Sequence, residues 1–117
     1  MPHVVLSGKI DIEDVFRELK PLFLKDENVL LRTPDSYLER EKRAILIESL
    51  SIQEDKAINF LTIINKREDG IVIRLYPKSE VEKTEGVKRL LAELASQLLQ
   101  TFNELRLSET NLSKYLS

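Results

Sequence analysis

EVEKTEGVKRLLAELASQLLQTFNELRLSETNL, residues 80–112, repeats apolar groups at every third or fourth position. Val87, Leu91, Leu94, Leu98, Phe102, Leu105 and Leu112 make one stripe, and Leu90, Ala95 and Leu99 make a second row beside it. That spacing gathers the groups on one face of a helix. The stripe is wider than the two positions in seven that a bare zipper seam uses. A helix of that length, ~45 Å at 1.5 Å per residue, leaves little of a 117-residue chain to cover it. The expectation is a long, leucine-rich C-terminal helix that joins copies of the chain through Val87, Leu91, Leu94, Leu98, Phe102 and Leu105. The product would be a homo-oligomer, dimer or tetramer.

Upstream, Val4–Ile10 reads as a first strand. Asp11 follows as a helix N-cap, with Asp14 three residues on in the place of a capping box. Ile12, Val15, Phe16, Leu19, Leu22 and Phe23 continue at helical spacing, and Pro21 should end or kink that helix. Val29–Arg32 is a short extended piece, and the polar run Tyr37–Lys42 fits no one element. Three alternating segments then read as strands: Arg43–Ile52, Ala57–Asn65 and Ile71–Tyr76. The links are short and charged, and Gly70 suits a left-handed position in the second. Pro77 stops the last strand, Ser79 or Thr84 can cap the long helix, and the residues after Glu109 are expected to fray. The predicted fold class is α+β: an antiparallel sheet of about four strands with helices, followed by the long C-terminal helix. Residues 1–79 form the sheet portion and residues 80–117 the helix of one domain.

Composition removes several function classes. The net charge is −2, so no bulk basic surface advertises nucleic acid. Cysteine is absent and Met1 is the sole methionine, while 32% of residues are charged. That profile fits a heat-adapted intracellular protein, and a cytoplasmic location is expected. Val4–Leu6 is too short for a signal peptide, and nothing approaches the roughly 20 apolar residues of a membrane span. His3 is the only histidine, at a terminus where a plain surface role is the first reading. The three glycines are scattered, so no phosphate loop exists. Asp11, Glu13 and Asp14 belong to a helix start, where acids complement the dipole. No catalytic residue, metal or cofactor is expected, and the protein is read as non-enzymatic.

Hairpin loops of four residues set a register with Lys66 opposite Ile71 and Ile52 opposite Ala57. One sheet face then collects Ile45, Ile47, Phe60, Thr62, Ile64, Ile71, Ile73 and Leu75, which must be core. The other collects Ala44, Leu46, Glu48, Leu50, Asn59, Leu61, Ile63, Asn65, Val72, Arg74 and Tyr76. An apolar floor with a few polar groups describes either a binding groove or a protein interface. Glu48 and Arg74 share that face, where a structural ion pair is a plainer reading than a catalytic one. Arg74, Tyr76 and Lys78 alternate along the last strand and its exit with no acid among them. Arginine beside tyrosine on a sheet is a single-strand-binding combination, the cation meeting phosphate and the ring stacking a base. Arg40, Lys42 and Arg43 form a second basic cluster. Lys66 and Arg67 are followed by Glu68 and Asp69, which favours a balanced surface there.

On the segments Ala44–Ile52, Ala57–Asn65 and Ile71–Tyr76 and the stripe Val87–Leu105, the chain resembles the ThermoDBP-related proteins of hyperthermophilic archaea. The likeness is one of architecture and composition over most of the chain. It implies binding of single-stranded DNA or RNA with little sequence preference, at basic and aromatic groups near the sheet. The matching positions are Arg74, Tyr76 and Lys78, with Arg40, Lys42 and Arg43 contributing. The rival expectation is an oligomeric assembly or protein-partner module that buries Leu46, Leu61, Ile63 and Tyr76 against protein.

Overall fold

The computed structural model describes residues 1–116. The chain runs β1 (His3–Ser7), α1 (Ile12–Glu18), β2 (Phe23–Lys25), β3 (Val29–Arg32), β4 (Ser36–Leu38), β5 (Ala44–Gln53), β6 (Lys56–Arg67), β7 (Gly70–Leu75), α2 (Glu85–Thr101) and β8 (Arg106–Thr110). A short 3₁₀ turn, Ser113–Tyr115, follows. All eight strands join one antiparallel sheet in the order β2-β3-β5-β6-β7-β1-β8. Strand β4 shares the β5 edge with β3, pairing Ser36–Leu38 with Ile45–Ile47 while β3 pairs with Leu50–Gln53. The sheet curls as a half-barrel around α2.

The expected register holds, with Lys66 opposite Ile71 and Ile52 opposite Ala57. It follows from two tight hairpins. Gln53 pairs with Lys56 across Glu54 and Asp55, both with positive φ (51° and 64°), the geometry of a type I′ turn. Arg67 pairs with Gly70 across Glu68 and Asp69. Gly70 is not left-handed as expected; it is glycine because a Cβ there would overlap the Leu6 carbonyl oxygen of β1. The predicted core face is buried at all eight positions named for it, from Ile45 to Leu75.

The fold class needs correcting. The sheet has eight strands, not about four, because β2, β3, β4 and β8 add to it. The C-terminal helix is not long: α2 has 17 residues, ~25 Å at 1.5 Å per residue. Phe102 already has extended backbone angles, and residues 106–110 turn back to pair with β1. Thr84 caps α2 as expected, its Oγ1 accepting from the Val87 N–H at 3.2 Å. The leucine stripe is spent inside the chain. Val87, Leu91, Leu94 and Leu98 are fully buried, and Phe102 and Leu105 nearly so, in one core with Ile45, Ile64 and Ile73. A sheet this wide covers the whole helix, so those six side chains present no face to a second copy. Leu112 is buried too, and Thr110 Oγ1 donates to the His3 carbonyl oxygen at 2.7 Å, so the tail is tied down rather than frayed. Helix α1 stops at Glu18, before Pro21. Its predicted capping box does not form: Asp11 makes no side-chain cap bond, and the Asp14 carboxylate accepts from Arg17 instead.

Candidate functional site

Helix α2 covers one face of the sheet, and the other is uncovered. Alternation along β5, β6 and β7 brings to that open face the residues the sequence assigned to it. Leu46, Leu50, Ile52 and Leu61 are half-buried there with no layer above them. Pairing extends the face outward. Leu30 lies opposite Ile52, Arg32 opposite Leu50, Tyr37 opposite Leu46, and His3 opposite Arg74. Phe23 stands opposite Arg32 on the edge strand and is 65% exposed. A groove of about 440 Å³ crosses the face between Pro34 and Val81, over Glu48, Asn59 and Leu61.

The polar groups on this face are held in place. Arg74 Nε donates to Asn65 Oδ1 at 2.9 Å. The Tyr37 hydroxyl donates to Glu48 Oε2, with Asp35 Oδ2 a further 3.4 Å contact. The hydrogen bond to the Glu48 carboxylate, with some desolvation and the nearby Asp35 charge, pushes the Tyr37 phenol up to about 12. Glu48 and Arg74 do not form the expected ion pair. They sit on β5 and β7, opposite Leu61 and Ile63 of the intervening β6, and so stand about 12 Å apart, two strand spacings across and two residues along. Neither has an ion-pair partner among the described residues.

The six predicted nucleic-acid contacts do not converge. Arg74 and Tyr76 share the open face, since the Tyr76 N–H still bonds to the Leu61 carbonyl oxygen. Pro77 then breaks the strand, so Lys78 lies in a turn off that line. Arg40, Lys42 and Arg43 occupy the β4–β5 turn at the end of the sheet. That turn is organised by Glu39, whose carboxylate accepts the Glu41 and Arg43 backbone N–H groups and is held below the usual carboxylate range. Lys42 Nζ lies 3.6 Å from Glu13 Oε2. Acids are therefore interleaved with these cations. A cleft of about 530 Å³ near the β6–β7 turn is likewise mixed, with Lys9, Arg17 and Lys66 facing Asp14, Glu18 and Glu68. Sequence reasoning missed Phe23, Arg32 and Tyr37. The signal available for two of them was the run Asp26-Glu27-Asn28, which reads as a hairpin turn and would have set Phe23 against Arg32.

Compared with models of protein families, with curated proteins and with solved structures, the chain matches none. Among the described residues no three His, Asp or Glu side chains are grouped to hold a metal ion, and no helix is long and apolar enough to cross a membrane.

Proposed function

We propose that this protein is a non-enzymatic binding module, that its working surface is the open sheet face, and that the partner held there is protein. One observation carries the reading. Four aliphatic side chains, Leu46, Leu50, Ile52 and Leu61, form a floor on a sheet face that nothing covers. A solvated face would alternate charged and hydroxylated groups at those positions. An apolar centre rimmed by tyrosine, phenylalanine and arginine is the composition of an interface core. The balanced charge at the sheet ends is consistent with this choice.

Single-stranded DNA or RNA is the second reading, favoured by Phe23 standing exposed against Arg32 and by Arg74 and Tyr76 on the same face. Rings and guanidinium groups on an open sheet can stack bases and meet phosphate. An electrophoretic shift with labelled oligo-dT and oligo-U at low and high salt separates the two. Nucleic-acid binding should weaken steeply with salt, as counterions are released. Arg74→Ala should then reduce the salt slope by about one unit. Phe23→Ala or Tyr76→Ala should remove about 1–3 kcal/mol of stacking with little change in slope. The expected result is no shift at either salt concentration. A steeply salt-dependent shift lost in these variants would replace the protein reading with the nucleic-acid one.

A further inference from the structure

We infer that the half of β6 left unpaired by β7 is a strand-addition site, and that it takes an extended peptide in which basic and aliphatic residues alternate. This rests on the reading of the open face as a protein-binding surface and adds to it the place and chemistry of the partner.

Strand β6 has 12 residues and β7 has 6. Their pairing runs from Arg67–Gly70 to Thr62–Leu75, and one further bond joins the Tyr76 N–H to the Leu61 carbonyl oxygen at 3.0 Å. Pro77 then ends the line of the strand. Residues 56–60 are therefore paired with β5 on one side and with no strand on the other. Alternation decides which main-chain groups face that gap. Leu61 turns toward β7, whereas Lys66 turns toward β5, where its N–H bonds to the Arg43 carbonyl oxygen at 2.8 Å. Odd-numbered residues of β6 thus turn to the β7 side, and the N–H and C=O groups of Ala57 and Asn59 point into the gap. Residues 77–84 pass along it without pairing. The Ser79 N–H bonds to the Tyr76 carbonyl oxygen and the Thr84 N–H to that of Glu82, and neither reaches β6. Ala57 and Asn59 are exposed. The groove of about 440 Å³ opens here, with Asn59 and Phe60 on one side and Ser79, Glu80 and Val81 on the other. A second cavity, of about 400 Å³, continues along the same edge past Ile58 and Lys56, opposite Glu82 and Thr84.

A segment entering the gap continues the line of β7. It can exchange main-chain bonds with Ala57 and Asn59, the way an extended peptide adds to a sheet. Its residue opposite Asn59 lies on the open face, and the next one along turns inward toward Ile58 and Val81, which pack against the core. An aliphatic side chain suits the inward position. The outward one looks past Leu61 to Glu48, two strand spacings across and two residues along, about 12 Å away. A lysine and a glutamate side chain together span that distance. Glu80 walls the same groove, and Glu54, Glu82 and Glu85 line the second cavity, where the sole cation, Lys56, already meets Glu82. Glu48, Glu54 and Glu80 have no ion-pair partner among the described residues. The charge around the gap is complementary to cations on the incoming strand. The outer edges of the sheet are poorer sites. Strand β2 has three residues, and β8 carries Arg106 and Glu109 and pairs with β1 through a register break, features that resist further pairing.

The test uses the capped peptide KVKVK and amide hydrogen exchange read by NMR on the full chain. In the free protein the Ala57 and Asn59 N–H groups should exchange fast, while those of Ile58 and Phe60, which face β5, are protected. KVKVK should slow exchange at Ala57 and Asn59 by about tenfold once it stands at ten times its Kd. The same peptide N-methylated at its lysines keeps its charge but cannot donate to the Asn59 carbonyl oxygen, and should give no protection. The acidic peptide EVEVE should not bind. Glu48→Lys with Glu80→Lys should weaken KVKVK by about tenfold or more, with near-ultraviolet circular dichroism checking the fold. Asn59→Pro removes a gap-facing N–H and no bond to β5, as proline on an edge can, and should abolish binding. Protection of Ala57 and Asn59 in the free protein would overturn the site, because residues 77–84 would then already pair with β6. So would KVKVK binding that leaves both amides unprotected, equal binding by the N-methylated peptide, or no binding at millimolar peptide. The oligonucleotide shift decides the wider reading separately. A failed peptide without a shift removes this site alone, and a failed peptide with a salt-dependent shift removes the protein-binding reading as well.

Discussion

Tyr37 is the residue through which the open face most directly reports its own chemistry. The residue is 46% exposed, yet its hydroxyl is committed to the Glu48 carboxylate. Ionising the phenol would set two negative oxygens against each other and lose that donor, which is why the group is held up at about 12 rather than near 10. The sign follows. The neutral phenol's contribution to stability is complete below pH 10 and is lost as the pH rises through about 12. An ultraviolet titration of wild type minus Tyr37→Phe should give a phenolate midpoint close to 12. Glu48→Ala should bring that midpoint back toward the ordinary value. A wild-type difference curve centred at 10 would mean that the Tyr37–Glu48 bond is absent in solution.

At the scale of elements, the contact that fixes α2 on the sheet is the approach of its first turn to β5. Gly86 lies in that turn and would ordinarily be a defect, about 1 kcal/mol worse than alanine in a helix. Here a Cβ would overlap Ser51 Oγ, with Val29 Cγ2 at 3.2 Å. Gly86→Ala should therefore lower the melting temperature rather than raise it. Ser51→Ala should recover part of the loss, since Ser51 Oγ is buried and bonds to nothing among the described residues. A G86A protein as stable as wild type would show that helix and sheet are further apart. A second clamp joins α2 to the β2–β3 turn. Asp26 accepts from the Arg89 guanidinium, and then from Asn28 N and Val29 N, which together lower its carboxyl below the usual value of 3.8. Its contribution is present above that value and is lost as the pH falls through the lower folded one. The stability gap between wild type and Asp26→Asn should be constant near neutrality and close in strong acid. The β5–β6–β7 meander was legible in the sequence because strict alternation and short charged links leave one register, although the turns close more tightly, over two residues, than the four-residue loops expected. The end of α2 was not, because Phe102, Leu105 and Leu112 keep a helical spacing while reaching the same core from different elements. Strands β2 and β4 have three residues each, too few for a period to show, and only the register of their neighbours reveals what they carry.

For the whole molecule, the consequence is that one core, not two, holds the chain and the helix together. The sheet wraps α2, so the side chains that spacing alone would assign to an oligomer seam are the centre of the monomer. This separates two outcomes that a seam would merge. Leu98→Glu places a carboxylate at a fully buried position with no partner. Such burial exacts several kcal/mol, a large part of the ~5–15 kcal/mol that holds a domain of this kind. Leu94→Ala at a neighbouring buried position should cost about 2–5 kcal/mol, by lost burial and a residual cavity. Both variants should lose cooperative thermal unfolding or shift it down, and the loss should not depend on protein concentration, because the interaction is within one chain. Substitutions on the open face should behave in the opposite way. Leu50→Glu, at a half-buried position outside the core, should leave the melting curve nearly intact. Thermal melts of the three variants across a hundredfold range of concentration distinguish the arrangements. If Leu98→Glu gave a folded monomer with a wild-type far-ultraviolet spectrum, α2 would have to be a surface helix, and the sheet could not be wrapped around it.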